Sequence, residues 1–194
     1  LAREARLYRA SGLRFVFRCG YGELFGTEGP SYYVFNRLMQ DPEADENAAF
    51  DEYVSRAYGP AAKAMEGFHR QQDRRVRSFD RLRWGFATRD DSGEEKTLPE
   101  HPAEMLAMLY PPDVLAKLEK ALAEAERTPD LTEKQKARIR LVRLEFDYLK
   151  LTVTAIHLYH AYRLVPSVES FRPIVTALEA RNAFIDSLYD EKGR

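Results

Sequence analysis

The sequence predicts a mainly α-helical fold: a helical bundle domain over residues 41–194, preceded over residues 1–40 by a helix, a strand and a further helix. Three observations predict it. Apolar residues recur at helical spacing almost throughout from residue 41 onward, one early stretch alternates as a strand does, and Gly and Pro fall where short connections between helices are needed. At 194 residues the chain is long enough for one good core, or for a domain plus a piece of another.

The opening run, LAREARLYRA, places Leu1, Ala5 and Tyr8 on one helical face and already reads as mid-helix, so a folded part is expected upstream. Ser11-Gly12 supplies the stop, because glycine tolerates the left-handed conformation that ends helices. LRFVFRC then alternates Leu13, Phe15 and Phe17 with Arg14, Val16 and Arg18, aromatic and branched as a strand prefers. The glycine-rich loop GYGELFGTEGP leads into a helix over about 31–40. Helix, strand, loop and helix is the rhythm of an α/β layer, but one strand needs neighbours that nothing later in the chain supplies.

From residue 41 the reading is helical. Asp45 can cap ENAAFDEYVSRAY, with Phe50, Tyr53, Val54 and Tyr58 on the buried side. Gly59 ends that helix and Pro60, with its preset φ, starts the next, running to about residue 79. RDDSGEEKTLPEHP is polar and broken, hence a surface loop. AEMLAMLY forms a short helix that stops at Pro111-Pro112. DVLAKLEKALAEAER follows, with Val114, Leu115, Leu118 and Leu122 in one stripe. Thr132 and Gln135 have capping-box spacing and open a long helix over about 133–164. Pro166-Ser167 breaks the chain before a last helix to about residue 189, which Pro173 either starts or kinks. Short connections, apolar stripes and charged outer faces suit an antiparallel bundle.

Lys and Arg number 30 against 31 Asp and Glu, a net charge of -1, which argues against a nucleic-acid partner. No apolar run approaches the roughly 18–20 residues that cross a bilayer, so no membrane span is expected. Cys19 is the only cysteine; it can form no internal disulfide and builds no zinc or redox motif. His157 and His160 in HLYH share a helix face, but a metal site needs a third ligand and no carboxylate stands one turn away in the required pattern, so neither metal nor other cofactor is expected. The acidic pairs Asp51-Glu52, Asp90-Asp91 and Glu94-Glu95 read as solvated faces. Glycoside cleavage instead needs two carboxylates set across a bond, one with a raised pKa. The arginines of RQQDRRVRSFDRLR are interrupted by Asp73 and Asp80, and their stems can cover apolar surface.

The loop GYGELFGTEGP lacks the spacing of a dinucleotide or P-loop fingerprint. It leaves the C-terminal end of a predicted strand, which in a (β/α)8 barrel is the catalytic face. There Tyr21 could stack on a sugar ring, while Glu23 and Glu28 could accept hydrogen bonds from hydroxyls. A plain strand-to-helix turn, with glycines fitting tight backbone, accounts for it equally.

Three motifs carry a family resemblance: Gly29-Pro30 with Tyr32-Tyr33, Arg37-Leu38-Met39 with Asp41-Pro42, and the hinge from Tyr58 to Ala62. With YPPDVLAKLEKALAEAE and ARIRLVRLEFDYLKL downstream, the stretch from about residue 20 to 162 resembles the segment after the barrel in large bacterial glycoside-hydrolase-like proteins. Those proteins belong to a family built on a domain of unknown function and are similar to glycoside hydrolase family 163, the endo-β-N-acetylglucosaminidases. The resemblance implies that residues 1–40 end a (β/α)8 barrel and that residues 41–194 form the helical domain that follows it. It implies a carbohydrate partner met through the whole enzyme, association with the missing barrel or with further copies, and a secreted or periplasmic location. The family's acid/base and nucleophile-type carboxylates sit on earlier barrel strands, and no motif here matches them, so no catalytic residue is expected in this chain. Tyr32, Tyr33, Phe35 and Leu38 are expected to join the last barrel helix to the helical domain, and Gly59-Pro60 to set the angle between its first two helices. The other reading is a non-catalytic helical module for dimerisation or docking through an exposed apolar face.

Overall fold

The computed structural model describes residues 2–13, 25–86 and 102–190. Eight α-helices lie in them: α1 (Ala2–Ala10), α2 (Phe25–Gln40), α3 (Glu46–Tyr58), α4 (Ala62–Phe86), α5 (Pro102–Leu109), α6 (Pro112–Glu126), α7 (Glu133–Leu164) and α8 (Val168–Asp190), with a 3₁₀ turn at Gly59–Ala61. The protein is mainly helical, and there is no strand among the described residues. Of the predicted strand, residues 14–18 lie outside them. Leu13 is described and finishes a helix: its amide donates to the Tyr8 carbonyl at 3.0 Å and that of Gly12, at φ +73°, donates to Arg9 at 3.0 Å. Two such bonds closing over a left-handed glycine form the Schellman stop expected at Ser11-Gly12.

The sequence places the start of α2 near residue 31, whereas the helix begins at Phe25 and carries Pro30 in its second turn. The reason is tertiary. The Glu145 carboxylate, on α7, accepts from the Gly26 and Thr27 amides at 2.7 Å each, replacing a local N-cap for two of the orphan donors at a helix start. Pro60 opens the 3₁₀ turn rather than α4 itself, and α4 continues past residue 79 to Phe86. Pro173 lies inside α8.

Other boundaries follow the local chemistry. The Asp45 side chain accepts from the Asn47 and Ala48 amides at 2.7 and 3.3 Å. Thr132 and Gln135 form the reciprocal capping box of α7, at 2.9 and 3.3 Å. Ser167 and Ser170 repeat that exchange at the start of α8, each amide donating to the other's hydroxyl at 3.0 Å.

The chain forms two compact units: residues 1–69 with 119–145, and residues 70–118 with 146–194. The 40/41 division read from the sequence falls within the first unit. There Ala5, Val34, Leu38 and Ala49 form a buried cluster flanked by Met39, Ala44 and Phe50, so α1, α2 and α3 share one core. Burying such side chains contributes about 1.5–3 kcal/mol each for the larger ones. In the second unit α7 and α8 pair antiparallel: Tyr162 meets Phe171 ring to ring at 5.6 Å, and Arg181 donates to Thr152 and Tyr148 at 3.1 and 2.7 Å. The stripe on α6 is buried as its spacing predicts, with Val114, Leu115, Leu118 and Leu122 all inside.

Candidate functional site

The most polar buried region of the first unit gathers where α2, α3, the Gly59 turn and the first half of α7 meet. It lies directly after residues 20–24 in the chain. At its edge Glu145 takes three hydrogen bonds at 2.7 Å, from the Gly26 and Thr27 amides and the Thr27 hydroxyl. Gly26 is needed for this approach, because a Cβ there would lie 2.8 Å from Glu145 Oε1 and 3.0 Å from the Val142 amide nitrogen.

One turn further on, Gly29 lets the Tyr53 hydroxyl sit against the α2 backbone, in space a Cβ would occupy. From Tyr53 an aromatic chain runs in both directions. Its ring meets Tyr33 at 5.6 Å and the edge of Tyr58 at 6.2 Å, and Tyr58 stacks on His69 of α4 at 5.7 Å. The Tyr58 hydroxyl lies 3.0 Å from His69 Nε2 and is also hydrogen-bonded to Tyr53. A tyrosine hydroxyl has one proton, so Tyr58 donates to one of these neighbours and accepts from the other.

Burial dominates the electrostatics. It pushes the Tyr58 hydroxyl well above the usual tyrosine range, with the adjacent Tyr53 adding to the effect. It raises Tyr53 too, although the bond from Tyr58 opposes it. It lowers His69 to about 3. At neutral pH the chain Tyr53–Tyr58–His69 is therefore uncharged and hydrogen-bonded. Such a network fixes geometry; it offers neither a nucleophile nor a base poised near neutrality.

α7 closes the region from the other side. Arg138 Nη1 donates to the Ala57 carbonyl at 3.1 Å, satisfying the end of α3, and the Gln135 amide covers Gly59. Further along, Arg143 donates Nε and Nη2 to the two Glu126 oxygens at 2.8 and 2.9 Å and Nη1 to Glu119 at 2.7 Å. Burial alone lowers the Arg143 pKa, but the bonds to Glu126 and Glu119 outweigh it and hold the guanidinium charged.

Of the three residues expected at a substrate rim, Tyr21 and Glu23 lie outside the described residues. Glu28 is half-buried in the first turn of α2, next to the Gly29 contact. His157 donates from Nε2 to the Tyr110 carbonyl at 3.0 Å, and His160 lies ring to ring with Tyr159 at 6.5 Å. Among the described residues no group of three or more His, Cys, Asp or Glu side chains could hold a metal ion. No helix among them is long and apolar enough to cross a membrane.

Sequence reasoning missed His69, Arg138 and Glu145. Each is an ordinary polar residue in a helical run, and its partner lies 11, 81 or 119 positions away. Only the glycines at 26, 29 and 59 signalled that something approaches the backbone closely. No family model matches the chain, and no curated protein or solved structure matches it.

Proposed function

We propose that this chain is the C-terminal portion of a carbohydrate-active, glycoside-hydrolase-like protein. In this reading residues 1–40 close a (β/α)8 barrel, the helical remainder supports it, and residues 20–28, the last four of them the first turn of α2, contribute to the substrate rim through Tyr21, Glu23 and Glu28. One observation supports it above the rest. Three residues of the resembling motifs, Gly29, Tyr33 and Tyr58 of the hinge, all converge on one side chain, that of Tyr53. The Glu145 cap fixes the residues that follow loop 20–24, as a loop presenting side chains to a sugar would require.

The test uses the full-length gene product, on glycans containing β-linked N-acetylglucosamine. Tyr21→Ala and Glu23→Gln are expected to lower kcat/KM by about 10- to 100-fold, chiefly through KM, because stacking and hydroxyl contacts are binding interactions. The isolated chain is expected to show no hydrolysis. A full-length protein that neither binds nor cleaves glycans sinks the reading, as do variants indistinguishable from wild type. A second reading, a non-catalytic helical interaction module, is favoured by the apolar side chains exposed on α8.

A further inference from the structure

We draw no further inference here: the strongest candidate, the outward apolar face of α8 formed by Val168, Phe171, Val175, Leu178 and Tyr189, carries none because nothing in the structure shows what covers it.

Discussion

The carboxylate of Glu145, midway along α7, holds the first turn of α2 by accepting from the Gly26 and Thr27 amides 119 and 118 residues earlier in the chain. Removing it should leave two orphan amides and a helix start with no local capping residue. Glu145→Ala is expected to destabilise the protein by about 2 kcal/mol, from the lost cap and the charge-assisted bonds. Glu145→Gln should cost less, since one amide oxygen can still accept. Urea unfolding checks this; a variant within a few tenths of a kcal/mol of wild type would show that water serves α2 equally well.

Gly59 sits at φ +52°, a conformation side chains rarely adopt, and its Cα faces the Gln135 amide. Gly59→Val should therefore destabilise by at least about 2 kcal/mol, combining backbone strain with the clash. The two causes separate in a double mutant. Gln135→Ala removes the obstruction but also its capping bond to Thr132, so the comparison is made within that background: there Gly59→Ala should cost less than in wild type and still show the part owed to φ. No cost in that background would mean that the backbone strain there is negligible.

These two positions show how legibility divided. Signals within a few residues were readable: the Asp45 cap, the Thr132–Gln135 box, the glycine stop at Gly12 and the apolar stripe on α6 all depend on neighbours in sequence. So was the end of α3 at Gly59, because Tyr-Gly-Pro leaves glycine the only residue free to turn; its φ of +52° came from the structure. The start of α2 was misplaced because its cap comes from α7, and no local pattern around residue 25 encodes a carboxylate so distant. His69 was invisible for the same reason: a single histidine in a helix gains meaning only when Tyr58 and burial are added. The rim residues were named from the place of a loop in a resembling family, a signal that concerns context rather than the contacts of Tyr21, Glu23 or Glu28.

His69 gives the fold a pH dependence whose sign follows from its lowered pKa. Unfolded, the imidazole binds a proton near its ordinary value of 6.5; folded, it does so only at about 3. Between those values the unfolded state holds more protons, so the stability from this residue is complete above about pH 6.5 and is lost as pH falls towards 3. The loss should approach about 1.4 kcal/mol per pH unit at its steepest. His69→Gln keeps a polar atom for Tyr58 but cannot titrate, so its stability should fall less steeply over that window. Equal slopes for the two proteins, measured by urea unfolding at a series of pH values, would remove His69 as the cause.

Arg143 is the clearest case of a charge placed for structure within the first unit. Its guanidinium uses Nε and Nη2 on the two Glu126 oxygens and Nη1 on Glu119, so one planar group ties α7 to two separate points on α6. The side chain is mostly covered, at 18 % exposure, while the glutamates are 38 and 35 % exposed. The pairs are thus less screened than open surface bridges, though the solvent at the glutamates keeps their worth modest. Arg143→Met, which retains the stem, is expected to cost about 1 kcal/mol, and the difference from wild type should shrink with added salt. Arg143→Lys should recover only a minor part, because a point charge cannot serve both carboxylates with the same fork. If lysine restored full stability, simple charge neutralisation would be the whole contribution and the planar geometry would be incidental.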